Sequence, residues 1–428
     1  MKLAVIGGGS SYTPELIDGL FPRLNRIPVS EIRLMDPDKN RLAITAGLAR
    51  RMARKHGDPF AVHTTSDLRE AVSHADYVVT QLRVGGMQAR IDDEKLGLRH
   101  GLIGQETTGV GGFACALRTI PRILEIARAM ADEAPDGFLV NFTNPSGIVT
   151  EALIRHATVR SVGLCNVPIG MIMDIAKFTG CAPEDVELDY VGLNHLSWVR
   201  GVRIAGRDVT GEVLHAFIEH AAEEWEDEKV REAMVEAMKS LGMICNGYLQ
   251  YFYATEDALA RMKARGMTRG EEIIDIERTL FDAYRQKTLD TKPEALSKRG
   301  GAHYSTAAFL LIEAVENNSA NRQIVCCRNG GAVPLFDEDA SLELPAVIDK
   351  TGATAIPQPV PVPAVRGLMQ LIKAYETLTV QAAVDGDREA ALQAMLLHPL
   401  FPGIRGCRAL LDELLEINRP YLQGTFFV

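Results

Sequence analysis

The chain has 428 residues, 46% of them hydrophobic and 24% charged, with a formal net charge of -10. That length holds two domains and a large core. An acidic balance without a Lys/Arg-rich block argues against a nucleic-acid role, which needs a basic face, and no apolar run of about 18 residues is present to span a membrane.

The expected elements run as follows. Lys2–Ile6 is a short apolar strand turned by Gly7-Gly8-Gly9, and Pro14–Leu24 has helical spacing. Glu31–Met35 is a second strand ending at Asp36, and Leu42–His56 a helix with a basic outer side. Asp76–Leu82 reads as a third strand, Gly137–Phe142 as a fourth and Ser161–Leu164 as a fifth, with an amphipathic helix through Leu117, Ile120, Leu124, Ala127 and Met130. Strands alternating with helices predict a doubly wound, Rossmann-like α/β sheet over residues 1–168. Beyond it, Val186–Val191 and Leu196–Ile204 read as a hairpin, and the chain from Glu212 as mostly helical. A second, mixed α+β and mainly helical domain is therefore expected over 169–428, with the proline-rich Ala355–Val365 as an extended edge inside it. The N-terminal run enters a strand too directly for a signal peptide, and the seven cysteines show no framework spacing. Reduced thiols and a cytoplasmic location are expected.

Three constellations point to chemistry. Gly7, Gly8, Gly9 and Ser10 follow the first strand and open a helix, where backbone N–H groups can meet a pyrophosphate. Asp36, at the end of the second strand, suits a ribose 2′-hydroxyl and favours NAD over NADP. Tyr12 stands where the fingerprint has its third glycine. Next, Cys165 ends the fifth strand and His195 lies in the turn between two later ones; thiolate and imidazole together suit a divalent transition metal with open positions for substrate. Finally, Asn144 in a polar loop can contact sugar hydroxyls, Arg90 and Arg299 in Gly-rich loops can meet an anion, and Tyr248 heads a cluster of three tyrosines. Asx turns, surface ion pairs and aromatic packing account for these last groups equally well on sequence alone.

The motifs GGGSSYTPEL (Gly7–Leu16), GLIGQETTGVGGF (Gly101–Phe113), NFTNPSG (Asn141–Gly147), GLCNVP (Gly163–Pro168), GLNHLSWV (Gly192–Val199) and RGGAHYSTAA (Arg299–Ala308) resemble, in order, those of glycoside hydrolase family 4, and most closely its 6-phospho-β-glucosidases. The resemblance implies a build like that of lactate and malate dehydrogenases. It implies an NAD- and divalent-metal-dependent glycosidase, usually with Mn2+, acting on 6-phospho-β-glucosides such as phosphorylated cellobiose. The reaction implied is oxidation at C3, deprotonation at C2, elimination, water addition and re-reduction, outside the usual two-carboxylate scheme. Metal ligands then fall on Cys165 and His195, the base on Tyr248, and sugar contacts on Asn144. Asn166, following the metal cysteine, stands where α-acting members carry an Asp, and the substrate phosphate is assigned to Arg90 and Arg299. A homodimer or homotetramer is implied too. The alternatives are an α-acting or unphosphorylated-sugar glycosidase of the same family, a plain NAD-dependent dehydrogenase, or a non-catalytic sensor.

Overall fold

The computed structural model describes residues 1–301, 303–422 and 424–427. Six parallel strands form its centre: β1 (Lys2–Ile6), β2 (Glu31–Met35), β3 (Ala61–Thr65), β4 (Tyr77–Thr80), β5 (Phe138–Asn141) and β6 (Arg160–Gly163). Their spatial order is β3-β2-β1-β4-β5-β6, the doubly wound arrangement whose switch point lies between β1 and β4. Alternation along β1 sends Leu3 and Val5 into one hydrophobic core and Ala4 and Ile6 into the other. Both faces of the sheet are therefore covered, as parallel strands require.

The chain then leaves this sheet. β7 (Val186–Leu193) and β8 (Leu196–Ile204) form an antiparallel hairpin, joined on β8 by β9 (Arg207–Asp208) and β10 (Ile244–Cys245). It returns as β11 (Asn321–Arg328), β12 (Ser341–Asp349) and β13 (Gly352–Ala355), an antiparallel meander added beyond β6 to complete nine strands.

Six strands depart from the sequence reading, of which β9 and β10 span only two residues each and leave no pattern to read. β3 (AVHTT) sits at the sheet edge with most of its side chains exposed, so it lacks the apolar run that marks a buried strand. β11 to β13 interrupt the region read as mostly helical. Arg322, Gln323 and Glu343 break their apolar pattern; the three strands pair in chain order, and β11 meets β6 at Cys326 and Gly163. The proline-rich stretch runs extended as expected: Ile356 N–H donates to Pro345 O at 2.9 Å and Gln358 N–H to Ala332 O at 2.8 Å, before a helix opens at Pro363. No helix among the described residues is long and apolar enough to cross a membrane.

A buried ion cluster locks the long helix Pro363–Asp385 onto the helix Ser146–His156, which follows the Asn144 loop. Lys373 Nζ lies 2.5 Å from Glu151 Oε2 and 2.5 Å from Glu376 Oε2. Thr377 donates to Glu151 Oε1 at 2.8 Å, and Arg155 adds a contact at 3.1 Å. Removing the cation would leave two buried carboxylates facing each other, a loss on the order of 3–5 kcal/mol. The variant Lys373→Met is expected to lower the thermal unfolding midpoint by at least about 5 °C, measured by calorimetry.

Candidate active site

The glycine turn sits at the switch point. Gly7 has φ of +92°, and the N–H groups of Gly7 and Gly8 both donate to Met35 O, at 2.9 and 2.7 Å. A Cβ on Gly7 would stand 2.8 Å from Gln81 O, so β4 leaves room for nothing larger. Asp36 accepts Gly9 N–H at 3.0 Å and Asp38 N–H at 2.9 Å, and burial raises its pKa. Tyr12 replaces the third glycine for a reason visible here: its hydroxyl donates to Gly301 O and its ring meets Tyr304 edge-on at 5.9 Å. It ties the turn to the loop 298–305, of which Ala302 lies outside the described residues.

Gly7, Gly9, Ser10 and Asp36 line a cavity of about 1150 Å3 that runs inward to Asn144 and Tyr304. Its size, the close-approach turn and the carboxylate at its rim fit a dinucleotide. Gly8 lies beneath the turn against Leu34 and does not line it.

Cys165 and His195 come from different sheets yet meet. Cys165 caps the helix Asn166–Thr179 just after β6, its Sγ accepting Val167 N–H at 3.5 Å. His195 ends the two-residue turn between β7 and β8, with φ of +66°. A β-carbon residue in that conformation costs about 1 kcal/mol or more, which the ladder on either side sustains. Its Nε2 lies 3.5 Å from Cys165 Sγ, and its Nδ1 lies 2.9 Å from Thr107 Oγ1. Thr107 gives its hydroxyl proton to Gln105 Oε1 at 3.0 Å. The threonine oxygen is thus an acceptor toward His195, which places the imidazole proton on Nδ1 and leaves the Nε2 lone pair facing sulfur. Burial lowers the His195 pKa to about 4, keeping the ring neutral, and burial pushes the Cys165 thiol up.

Among the described residues no three His, Cys, Asp or Glu side chains gather as a metal cage. The pair nonetheless fits a divalent transition metal, with a bare imidazole nitrogen and a sulfur converging and the other positions left to oxygens. Tyr248 stacks on His195 with ring centroids 3.7 Å apart and planes 5° from parallel. Its pKa is raised, first by burial and then by the nearby Cys165 and Glu106. Asn166 opens the helix beside Cys165, 4.0 Å from its sulfur. Asn144, before a cis bond to Pro145, keeps a buried Oδ1 without a hydrogen-bond partner. Tyr304 lines the same cavity, and burial raises its pKa.

The arginines divide. Arg299 lines the cavity, donating from Nε to Ser11 Oγ at 2.9 Å. Arg90 does not line it; it is held between Glu94, at 2.8 Å, and Glu106, at 3.0 Å. Arg83, which sequence reasoning passed over, lines the cavity and pairs with Glu106 at 2.5 Å. Burial alone would raise Glu106, but Arg83 and Arg90 bring it down to about 2. Arg299 is lowered by burial and then by repulsion from Arg83, so two guanidiniums crowd one wall. Position after β4 was the one available signal for Arg83. Thr107 and Tyr304 were missed as well, since each acts through a partner remote in sequence.

A model for family 4 glycosyl hydrolases matches residues 2–181, and one for the C-terminal domain of that family matches residues 190–401. The chain belongs to glycosyl hydrolase family 4. This family 4 chain is 41% identical to a protein of Bacillus subtilis named as a probable 6-phospho-β-glucosidase, over 100% of the chain and 98% of the relative. It superposes with a TM-score of 0.92, at 36% identity and over 99% of each chain, on the 6-phospho-β-glucosidase from Thermotoga maritima solved with manganese, NAD+ and glucose-6-phosphate. Malate dehydrogenase from Plasmodium falciparum shares the fold alone, with a TM-score of 0.53 at 15% identity over 90% of this chain and 99% of that one. The overall build is the expected dehydrogenase-like one.

The hydrogen bond from His195 to Thr107 sets which nitrogen is free. Thr107→Val keeps the shape and removes the acceptor. It is expected to weaken binding of a divalent transition metal about 10- to 100-fold, measured by calorimetry, with dinucleotide affinity unchanged.

Proposed function

We propose that the chain is an NAD- and Mn2+-dependent 6-phospho-β-glucosidase. The observation that carries this reading is the convergence of Cys165 Sγ and the bare Nε2 of His195 at 3.5 Å, with Tyr248 stacked against the imidazole. The named relatives support the β-linked, 6-phosphorylated substrate, and Asn166 beside Cys165 agrees with it, since an amide cannot serve as the proton-donating acid of an α-acting member.

Residues 1–168 would supply the dinucleotide site together with Cys165, Asn144, Asn166 and Arg83, and residues 169–428 would add His195, Tyr248 and Arg299. The N–H groups of Gly7, Gly9 and Ser10 are taken up within the turn, so Gly7 and Gly9 serve the pyrophosphate by close approach and Ser10 through its hydroxyl; Gly8 shapes the turn, and Asp36 receives a ribose hydroxyl. Cys165 and His195 hold the metal. When bound, NAD+ supplies reversible oxidation at C3 and Mn2+ supplies Lewis-acid polarisation of the C2 and C3 oxygens. Tyr248 takes the C2 proton as the C1 substituent departs and returns it as water adds. Burial holds the Tyr248 proton on, and a cation beside it acts in the opposite sense. Asn144 turns its unpartnered Oδ1 to a sugar hydroxyl. Arg299 and Arg83 meet the 6-phosphate, with Arg90 behind them orienting Glu106. The phosphate would relieve the repulsion between the two cavity-facing guanidiniums.

The setting we propose is the cytoplasm, in keeping with seven cysteines that form no disulfide among the described residues. A homodimer or homotetramer follows from the family resemblance alone.

The deciding assay is hydrolysis of p-nitrophenyl β-glucoside 6-phosphate with and without NAD+ and Mn2+, followed at the NADH absorbance. Nitrophenol release that requires both, with no net NADH, is expected. Steady NADH without nitrophenol would make the chain a dehydrogenase instead, and preference for α-linked or unphosphorylated sugars would move it within the family. The variant Tyr248→Phe is expected to lower kcat by about 100-fold or more; full activity would remove Tyr248 from the role of base.

A further inference from the structure

We infer that Glu343, remote from substrate, is a positioning residue that holds the turn bearing His195 and the turn bearing Tyr248 through two separate arms. The inference rests on the proposed metal-dependent reading.

Glu343 lies on β12 with 1% of its surface exposed. Its Oε1 accepts Asn194 Nδ2 at 3.1 Å and Cys326 Sγ at 3.6 Å, and its Oε2 accepts the Tyr190 hydroxyl. The first arm is Asn194, the residue before His195. Its Oδ1 accepts Gly147 N–H at 3.3 Å, at the head of the helix that follows the Asn144 loop. The amide therefore has one workable orientation. Flipping it would set its NH2 against the Gly147 N–H and its oxygen against a carboxylate. An amide fixed at both ends fixes the two-residue turn it belongs to, and with it the left-handed His195.

The second arm is a directed chain of hydroxyls. Tyr190 has one proton and gives it to Glu343. Ser197 Oγ lies 2.5 Å from the Tyr190 oxygen, and donates to it when an ionised Glu343 holds the tyrosine proton. Ser197 in turn accepts Asn246 Nδ2 at 2.7 Å, and Asn246 Oδ1 accepts the backbone N–H of Tyr248 at 2.7 Å. Tyr190, Ser197 and Asn246 are 0%, 0% and 1% exposed, so no solvent competes. Burial raises the Glu343 carboxyl to about 7, and in its ionised form it accepts from Asn194, Cys326 and Tyr190 alike. A carboxylate can end both, because it accepts on either oxygen; a glutamine would turn a donor toward one of them.

The test compares Glu343→Gln, Tyr190→Phe and Asn194→Ala with the parent protein. Mn2+ binding is read by electron paramagnetic resonance with NAD+ and glucose 6-phosphate present. Turnover of substrate deuterated at C2, NAD+ affinity and thermal midpoint are read beside it. Glu343→Gln is expected to weaken Mn2+ about 10- to 100-fold and to lower kcat even at saturating metal, with NAD+ affinity unchanged. Asn194→Ala should weaken Mn2+ and leave the C2 isotope effect alone. Tyr190→Phe should keep Mn2+ affinity within about twofold and enlarge the isotope effect. Parent-like Mn2+ affinity and kcat in Glu343→Gln would overturn the inference. So would equal losses of Mn2+, NAD+ and thermal stability in Asn194→Ala and Tyr190→Phe, which a merely structural role would give; these two decide the matter should Glu343→Gln not fold. A parent protein that binds no Mn2+ would remove the functional reading itself, whatever the variants do.

Discussion

The proton on His195 Nδ1 is the constraint from which the rest of the site follows. It is placed there by Thr107, whose own proton is committed to Gln105. With that tautomer set, Nε2 can only be an acceptor or a ligand, and it faces the one sulfur within reach. A reversed tautomer would point an N–H at Cys165 and close the position to a cation. The stacked Tyr248 ring inherits its place from the same imidazole, since two parallel rings at 3.7 Å leave little freedom to either. A single hydrogen bond thus settles the ligand set and the face that the tyrosine presents.

Much of this was legible in the sequence, and the physical boundary of legibility is clear. Lys2–Ile6 with its glycine turn and Asp36 could be placed because strand, turn and acidic residue follow one another closely, and local rules act over that range. Cys165 and His195 could be nominated singly as strand-end residues, and it is the fold that brings them to 3.5 Å. Tyr248 could be separated from Tyr251 and Tyr253 only by family resemblance, since nothing in their spacing distinguishes a base from a packing ring. Arg90 and Arg83 show the opposite difficulty. Both flank the same pair of glycines and both pair with Glu106; of the two, only Arg90 also pairs with Glu94, which holds it away from the cavity. Glu343 is one of 56 acidic residues, and no local signal distinguishes it. Its meaning comes from Asn194 and Tyr190, which belong to another sheet.

Charge is handled in two ways inside the same protein. Around Lys373 the balance is internal, with Glu151 and Glu376 both within 2.5 Å, and the cluster serves to hold helices together. Around Arg83 and Arg299 it is left incomplete. Glu106 and Glu277 are each shared, Glu106 with Arg90 and Glu277 with Arg41, so neither is free to neutralise a cavity-facing guanidinium alone. A closed cluster favours rigidity, whereas an open one favours an incoming anion.

The register of β6 has a consequence for how the chain comes into being. Gly163, the last residue of β6, pairs with Cys326 of β11, and a Cβ on Gly163 would collide with Thr150 and Cys326. Until residues 321–328 have been synthesised, β6 is therefore an open sheet edge lying two residues before Cys165. The strands that form the dinucleotide turn are all in hand by then, since β1, β2 and β4 end before residue 81. Folding that proceeds from the N-terminus as the ribosome delivers chain would form the glycine turn early and leave the cysteine end unfinished until β11 (Asn321–Arg328), about three quarters of the way along the chain, has emerged. The glycine turn would thus stand well before the edge beside Cys165 is closed, while Arg299 and Tyr304, which line the same cavity, arrive only with the later chain.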